Sequence, residues 1–542
     1  MKNRGNINTQ FDTVISTCIM IAMINMIVIC ALGGLQTAGY LGLSVLIISC
    51  MLGVLAAPLV MDLFTKIRFC YQRELHFRAR RLLSTAKTMV ILICALLLLS
   101  VVVFGKALAE GVFANVNMQY FLIISMVILF LGCVESIFLG MLKGLHMIKP
   151  IRLTMLLQQL LIFAGSILLE QLCSRYAVGI AGILRTQDVI PAYRALGALC
   201  GVLAGEVIGC LLLLVFYHSV HREFPGKDRQ IIRRRQPEER FLTILGSFFQ
   251  SQLFTILQNL FLMFAFLLDY LIWVRLSAAG GTISNQLYFA GILFGLGLPL
   301  AVFFLQWLKL LHFSTEPHQR AALRDKDLHF FREMTMANLF HLILVALPIT
   351  CLLVVLAQNL PEALTGESIS EKLILVLRLS AVLFMACALF VMTKLQLRLV
   401  VGKIRSTLLI VLAFILQTIV ALISIGASDQ GEVMVCMALL VFMTINGILH
   451  LIYCRQKCHL PYPDYRAYAL CAAAMLCIGF IVYLLSQFMF AGIAALIGVI
   501  VTIVLFGLLY FIAMLFLPIS EGNVPSSVVL EAFEQLRERM RL

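Results

Sequence analysis

Four ionisable side chains lie in the middle of long apolar stretches of this sequence: Glu135, Glu206, Asp269 and Arg378. Inserting a charged group at the centre of a bilayer costs about 2.5–3.5 kcal/mol on insertion scales. Each of these four residues is therefore a candidate functional residue. Such groups bind cargo or a coupling ion. The structural alternative is polar contact between helices, or a long side chain that reaches the membrane interface.

Two further polar side chains complete the set of candidate substrate-binding residues. Gln159 follows Gln158 in one apolar stretch, and Arg275 lies six residues after Asp269. Six residues correspond to about 9 Å along a helix and about 600° of rotation, so Asp269 and Arg275 do not share a face. We therefore expect Arg275 at the outer rim, and Asp269 buried against another helix, with Gln159 or Arg378 as partner.

Histidines and cysteines give weaker signals. His341 and His450 lie in apolar surroundings, where a core histidine with satisfied hydrogen bonds is the simpler interpretation and a proton relay is the alternative. Cys454 and Cys458, followed by His459, have the spacing of half a metal site, but no second half of suitable spacing accompanies them. We predict no metal site and no cofactor. Asp62 is expected to be solvated at the end of the second apolar run.

The composition of the chain is that of a membrane protein. Its 542 residues are 62% hydrophobic and 13% charged, with a mean hydropathy of +1.02, whereas soluble proteins have about 45–50% apolar and about 25% charged residues. Apolar runs of about 20 residues recur, and each is long enough to cross a bilayer as a helix. The P-loop, HExxH and GxSxG motifs are missing from the sequence, which argues against an ATP-driven pump and against an enzyme.

We predict an all-α polytopic protein with fourteen transmembrane helices. The predicted spans are approximately 11–33, 40–63, 87–109, 119–142, 152–172, 195–217, 241–275, 287–311, 336–358, 373–396, 404–426, 432–454, 467–487 and 490–517. The first run is longer than the core of a signal peptide, and we interpret it as a retained span.

The basic residues predict the orientation of these spans. If the N-terminus is cytoplasmic, most of the 41 lysines and arginines fall in inner loops, as the positive-inside rule requires. Both termini and the loop 218–240, with its Arg233-Arg234-Arg235 run, should then be cytoplasmic, and Glu367 should face outward. The basic inner loops account for the net charge of +14, so we do not predict binding to nucleic acid. This charge predicts contact between the basic loops and anionic lipid.

Two short sequences recur at a single offset of 253 residues. Glu74–Phe77 is echoed by Asp327–Phe330, and Ile151–Thr154 by Ile404–Thr407. Because the repeated loops lie on the same predicted side, the repeat is parallel, with an axis along the membrane normal. The predicted organisation is an N-terminal six-helix lobe at 1–220, a second six-helix lobe at 221–460, an appended transmembrane pair at 461–518 and a cytoplasmic amphipathic tail at 519–542.

One stretch of the sequence resembles a known superfamily of exporters. Leu139-Gly140-Met141-Leu142-Lys143-Gly144-Leu145, followed by Pro150 and Gln158-Gln159, is similar to the segment R-G-x-x-Q-G-L…P…E-Q of the multidrug/oligosaccharidyl-lipid/polysaccharide (MOP) exporter superfamily. The nearest likeness is to the branch of stage V sporulation protein B, the lipid II flippases and polysaccharide biosynthesis proteins. Further similarities are Gly39-Tyr40, Ala57-Pro58 with Lys66, Arg80-Arg81-Leu82, and Asp269 with Arg275-Leu276.

The sequence also departs from the pattern of that superfamily. Leu139 stands where the family has an arginine, and Gln158 stands where it has a glutamate. The first span lacks the arginines that face the central cavity in the family, which are thought to grip the pyrophosphate of a lipid-linked sugar. These departures concern the residues that would recognise the substrate.

The resemblance implies a flippase for a lipid-linked oligosaccharide or cell-wall precursor in the bacterial plasma membrane, working by alternating access between two lobes. Two alternatives stay open. An ion-coupled multidrug exporter on the same fold would need a carboxylate such as Glu135, Glu206 or Asp269. A transport-inactive membrane scaffold for wall or spore-coat synthesis would explain the lost arginines, with cell-wall synthesis enzymes as partners.

Overall fold

The computed structural model describes residues 4–184, 189–223, 241–276, 282–400, 402–428, 430–460, 465–489 and 495–516, and its regular elements in these ranges are helices. The helices are α1 (Arg4–Gly33), α2 (Leu35–Gln72), α3 (His76–Gly111), α4 (Met118–Gly144), α5 (Ile148–Leu184), α6 (Val189–Glu223), α7 (Phe241–Leu276), α8 (Ile283–Ala290), α9 (Leu298–Asp325), α10 (Leu328–His341), α11 (Leu347–Leu356), α12 (Leu360–Thr365), α13 (Glu371–Val400), α14 (Lys403–Ala427), α15 (Gly431–Cys458), α16 (Tyr465–Met489) and α17 (Ala495–Phe516). Two π-helical segments, Gly291–Gly297 and Leu342–Ala346, join α8 to α9 and α10 to α11.

Fourteen helical stretches in the ranges given above are long and apolar enough to cross a membrane. The predicted all-α fold with fourteen spans is thereby confirmed, and the chain is a multi-pass membrane protein. Several helices are longer than predicted. The 38 residues of α2 and the 37 of α5 exceed the roughly 20 that a bilayer requires, because both helices continue beyond their apolar runs into polar flanks.

The chain divides into two compact units. Unit 1 comprises Met1–Leu35 and Leu296–Leu542, and unit 2 comprises Gln36–Gly295. One boundary follows Gly34, whose φ of +84° lets α1 end and α2 begin without a loop, because glycine adopts this conformation at no steric cost. The other boundary falls inside the first π-helical segment.

The predicted lobes were drawn from the sequence repeat, and their boundaries at 220 and 460 stay a prediction. Helix limits in the two halves follow the same spacing: α2 and α9 end 253 residues apart, and α4 and α13 begin 253 residues apart. Just after these ends, Glu74 has φ of +56° and Lys326 has φ of +60°. The expected superposition of His76 on His329 and of Arg152 on Arg405 stays a prediction. The predicted tail 519–542 lies outside the described residues.

The core of unit 1 includes the C-terminal helix pair. Met475 of α16 and Phe506 of α17 are buried in one cluster with Phe384 of α13. The hydroxyl of Tyr510 donates a hydrogen bond of 2.7 Å to the backbone oxygen of Leu344, which lies in the second π-helical segment. The two helices therefore pack against the core of this unit, and their assignment as an appended pair at 461–518 stays a prediction.

In unit 2, α2 and α7 run antiparallel in a fixed register. Three polar contacts join them: Asn259 Nδ2 to Gly53 O at 2.7 Å, Ser251 Oγ to Asp62 Oδ1 at 2.8 Å, and Lys66 Nζ to Ser247 Oγ at 2.9 Å. Each step forward along α2 is matched by a nearly equal step back along α7. Asp62 is only 4% exposed and also pairs with Lys66 at 2.8 Å. The expectation of a solvated Asp62 is therefore wrong, because α7 covers this end of α2.

The orientation in the membrane is a testable prediction. Single cysteines placed at positions 233 and 367, the first of which lies outside the described residues, should react differently with a membrane-impermeant maleimide in intact cells. Position 367 should be labelled from outside, and position 233 only after permeabilisation, because basic loops stay cytoplasmic. The parent protein with its native cysteines sets the background. Labelling of position 233 in intact cells, or protection of position 367, contradicts the predicted topology.

Candidate functional site

Two of the four predicted buried charges meet in unit 2. Glu135 from α4 and Glu206 from α6 lie beside Gln158 from α5, and we call these three residues the carboxyl cluster. The amide nitrogen of Gln158 donates to Glu135 Oε2 at 3.1 Å, and the same amide lies beside the Glu206 carboxyl group. Glu135 is 6% exposed and Gln158 is 3% exposed. Glu206 is half-buried, so the cluster is a polar site between three helices with two of its three side chains buried.

The carboxyl cluster contains two buried oxygens that lack a donor. Glu135 Oε1 and Glu206 Oε2 make no hydrogen bond within the part of the chain that the structure describes, although the two carboxyl groups contact each other. Two carboxylates that share a site cannot both stay ionised without repulsion. A proton bound to either carboxyl group removes that repulsion. The arrangement has the chemistry of a binding site for one monovalent cation.

Cys210 is a further titratable group beside the carboxyl cluster. It lies one turn after Glu206 on α6, and its thiol donates to the backbone oxygen of Leu131 at 3.3 Å. Among the described ion pairs, none joins a lysine or arginine to Glu135 or Glu206. Within the described residues, the carboxyl cluster is therefore not neutralised by a lysine or arginine ion pair.

A stripe of glycines on α6 brings α5 close enough for the cluster to form. The stripe consists of Gly197, Gly201, Gly205 and Gly209. A Cβ on Gly201 would lie 2.2 Å from the backbone nitrogen of Ser166, and a Cβ on Gly209 would lie 2.7 Å from Cδ of Gln158. Small residues four apart let the backbones of two membrane helices approach. The stripe therefore places Gln158 against both carboxyl groups.

The sequence pattern identifies Glu135 and Glu206 but not their partner. It identifies Gln159, which is about 100° around α5 from Gln158 and is partly buried. The glycine stripe was readable in the sequence as four glycines at a spacing of four, and it marks the face of α6 that packs against α5. Gln158 lies opposite Gly209, the last glycine of the stripe. The glycine spacing is therefore the sequence signal that points to Gln158.

Asp269 is fully buried in α7, with 0% exposure, as expected from the cost of a lipid-facing carboxylate. The next residue, Tyr270, belongs to an aromatic cluster in which the rings of Trp273 and Phe289 lie 4.6 Å apart and those of Tyr270 and Phe294 lie 5.7 Å apart. The predicted pairing of Asp269 with Gln159 or Arg378 stays a prediction.

The two predicted arginines bind within separate units. Arg275 lies in the last turn of α7 and donates to the backbone oxygen of Glu110 at the end of α3, so it holds two helix ends of unit 2 together. Arg378 of α13 lies over the ring of Tyr483 of α16, 5.6 Å from its centroid, within unit 1. Both contacts place these arginines between helices of their own unit, and their predicted role in substrate binding stays a prediction.

Replacing Asp269 with asparagine separates a transport role from a packing role. If Asp269 binds cargo or an ion, we expect Asp269→Asn to abolish transport and leave the protein folded and membrane-inserted. If it only joins helices, the same change should lower stability by about 1 kcal/mol and leave transport intact. A transport assay and a thermal melt on this variant distinguish the two roles. Full transport activity in the variant contradicts the assignment of Asp269 to the binding site.

The two histidines of unit 1 differ. His450 is satisfied as predicted, because Nδ1 lies 2.9 Å from the backbone oxygen of Asn446 and Nε2 lies 2.9 Å from Ser406 Oγ. His341 is 2% exposed, yet neither ring nitrogen makes a hydrogen bond in the described residues. The expectation of a satisfied His341 is wrong. The ring stands at the end of α10, where the backbone turns π-helical, a distortion that is frequent at functional sites.

A buried amide network lies near His341 and was missed by the sequence analysis. Gln319 Nε2 donates to Gln396 Oε1 at 2.8 Å, and Gln396 Nε2 lies 3.2 Å from Nδ1 of His312. The prediction ended the eighth span at residue 311, whereas α9 continues to Asp325. Polar residues interpreted as a loop are therefore in the interior of unit 1.

No group of three or more His, Cys, Asp or Glu side chains is arranged to hold a metal ion in the ranges that the structure covers. The thiols of Cys454 and Cys458 lie 3.9 Å apart on α15. Position 459, at the end of this helix, has a left-handed backbone with φ of +48°.

Solved structures of transporters share this fold. An inward-facing multidrug resistance MATE family transporter of the MOP superfamily matches with a TM-score of 0.61 and 15% identity, over 82% of this chain and 94% of that one. An outward-facing MATE family transporter of the same superfamily matches with a TM-score of 0.53 and 14% identity, over 84% and 96%. A MOP superfamily transporter from Pyrococcus furiosus, described as having a binding pocket of reverse polarity, gives a TM-score of 0.54 at 14% identity, over 84% and 96%.

No protein-family model and no curated protein matches the sequence. At the identities of the solved structures, the likeness establishes a MATE-like transporter fold.

Proposed function

We propose that this protein is a membrane exporter that works by alternating access and is driven by protons bound at the carboxyl cluster. The observation that carries the proposal is the contact between Glu135 and Glu206, each with a buried oxygen that lacks a donor in the described residues. A site that needs a cation in one conformation and releases it in another shifts the equilibrium between the two, because a ligand acts through its differential affinity.

The fold supports transport as the general activity. Structures that match this chain are described as inward-facing and outward-facing conformations of MATE family transporters, so the fold accommodates both states that alternating access needs. This support rests on the similarity of this fold to that of the matching transporters, whereas the carboxyl cluster is observed in this chain. The scaffold alternative has no use for a buried cation site.

A lipid-linked oligosaccharide or cell-wall precursor is the proposed cargo. It is favoured by the matching positions Gly144, Leu145, Pro150 and Gln159 and by the basic inner loops. A multidrug exporter on the same fold is the second candidate, favoured by the carboxyl cluster, since a buried carboxylate is the feature that ion-coupled drug export requires. The bacterial plasma membrane as location and cell-wall enzymes as partners belong to the same proposal.

Reconstitution of the purified protein in liposomes tests the proposed function. A pH gradient imposed across the membrane should drive movement of a fluorescent lipid-linked saccharide, or of a cationic dye if the cargo is a drug, and a protonophore should stop it. A sodium gradient at constant pH is the control for the driving ion. Movement of neither cargo under a pH gradient, or movement driven by sodium alone, contradicts proton-coupled export.

A further inference from the structure

A pocket of about 290 Å³ opens at the end of α2 in unit 2. Its lining comes from three helices: Thr65, Lys66, Phe69 and Cys70 of α2, Arg78 and Leu82 of α3, and Thr243 and Ser247 of α7. Ligand pockets typically enclose about 300–1,000 Å³, so this volume suits a small polar group better than a whole lipid. We call it the headgroup pocket.

Two cationic side chains and several hydroxyls face the headgroup pocket. The ammonium of Lys66 donates to Asp62 Oδ2 at 2.8 Å and to Ser247 Oγ at 2.9 Å. An ammonium has three N–H donors, so these contacts fix the Lys66 side chain and leave one donor for a ligand. Arg78 adds a guanidinium, whose planar fork matches the oxygens of a phosphate. The pocket thus presents donors at positions set by the packing of three helices.

The floor of the headgroup pocket is apolar. Cys70 and Leu82 of its lining belong to a small buried cluster with Ile244. At its side, Phe69 is 41% exposed, and the guanidinium of Arg73 lies over its ring, 4.4 Å from the centroid. Basic donors beside an apolar wall suit a molecule that joins an anionic group to a hydrocarbon chain, which describes an anionic lipid at the membrane surface.

The charge around the headgroup pocket is strongly positive. Residues 62–87 contain seven lysines and arginines but only two acidic residues, and one of the two, Asp62, is already engaged by Lys66 and Ser251. This end of α2 is on the predicted cytoplasmic side, where anionic headgroups attract basic segments by about 1 kcal/mol per residue. A negatively charged ligand is therefore favoured both by the local contacts and by the longer-range field.

We propose that the headgroup pocket binds the phosphate group of a membrane lipid, held by Lys66 and Arg78 with the hydrocarbon chain beside Phe69. The inference goes beyond the proposed export activity, because binding here requires no transport. Two lipids share the chemistry, namely a resident anionic phospholipid and a polyprenyl diphosphate of the kind that carries saccharides.

Lipid binding to the full-length protein in detergent tests the proposal, measured by native mass spectrometry or by displacement of a fluorescent anionic lipid. Phosphatidylglycerol and farnesyl diphosphate distinguish the two sources, and phosphatidylcholine is the neutral reference. The variant Lys66→Gln/Arg78→Gln should bind the preferred anionic lipid at least about tenfold more weakly, since two charge-assisted contacts are lost. The matched control Lys106→Gln/Arg175→Gln removes the same charge from exposed positions of unit 2 and should change affinity less than about twofold.

A second variant separates the shape of the site from its charge. Thr243 is exposed at the mouth of the pocket, and Thr243→Trp fills the space while leaving both cations in place. It should weaken binding as much as the double variant and leave the thermal melt unchanged, which also covers the case in which the double variant fails to fold. Equal binding by wild type and Thr243→Trp overturns the proposal, as does equal loss in the charge control or equal affinity for phosphatidylcholine.

Discussion

Glu135→Gln is expected to lower proton-driven export strongly while leaving the protein folded. The new amide donates to Glu206 and takes the place of the bound proton, so the carboxyl cluster is held permanently in its cation-loaded form. Coupling between two sites is typically worth 1–3 kcal/mol, so proton-driven flux should fall roughly 5–150-fold. The melting temperature should stay equal or rise, because the two oxygens no longer oppose each other. Flux in proteoliposomes under a pH gradient, beside a thermal melt, measures both effects.

The matched control for this prediction is Glu110→Gln. Glu110 belongs to the same unit, is exposed at the end of α3, and contributes only its backbone oxygen to Arg275, so flux should stay at the wild-type level. Glu206→Gln should reproduce the loss seen in Glu135→Gln, since either amide replaces the bound proton. Wild-type flux in both glutamine variants would show that the carboxyl cluster only joins helices.

Gly201→Val is expected to prevent unit 2 from folding properly. Even the first carbon of the new side chain would lie 2.2 Å from the backbone nitrogen of Ser166 and 2.3 Å from its Cα, where no rotamer relieves the contact. Overpacking typically costs 1–3 kcal/mol, and a clash with backbone belongs at about the upper end. Expression level and melting temperature in detergent measure the effect. A wild-type melt for Gly201→Val would contradict the close approach of α5 and α6.

Substitutions at two other glycines serve as controls for Gly201→Val. Gly179 lies on α5, and a Cβ there meets no atom within 4 Å, so Gly179→Ala should leave stability unchanged or raise it by up to about 1 kcal/mol. At Gly209 the new Cβ meets only the end of the Gln158 side chain. Gly209→Ala should therefore preserve the fold and weaken coupling, by pushing the amide away from Glu135 and Glu206.

The sequence was sufficient to predict the number and place of the spans, because hydrophobic length and loop charge report directly on the membrane. It also identified Glu135 and Glu206, since a carboxylate in an apolar run is conspicuous. It did not reveal that these residues meet. That contact depends on how closely α5 and α6 pack, which is decided by the glycine stripe and not by hydropathy.

The errors at Asp62 and at the end of the eighth span have one physical cause. Hydropathy ends a span where apolar residues end, whereas helices continue wherever another helix covers their polar residues. Asp62 is buried because α7 packs against the end of α2. Gln319 and His312 are buried because α9 extends beside α10 and α13. The polarity of Asp62 and of the residues after the eighth predicted span had suggested that both regions are solvated.

The most direct test of proton coupling at the carboxyl cluster is the reverse of the transport assay. Coupling is reciprocal for binding free energies, so a gradient of cargo across a liposome should move protons in the absence of any imposed pH difference. A pH-sensitive dye enclosed in the liposomes should report that movement for the wild type and for Glu110→Gln, and no movement for Glu135→Gln or Glu206→Gln. Cargo that crosses the membrane in the wild type without any proton movement would contradict the account.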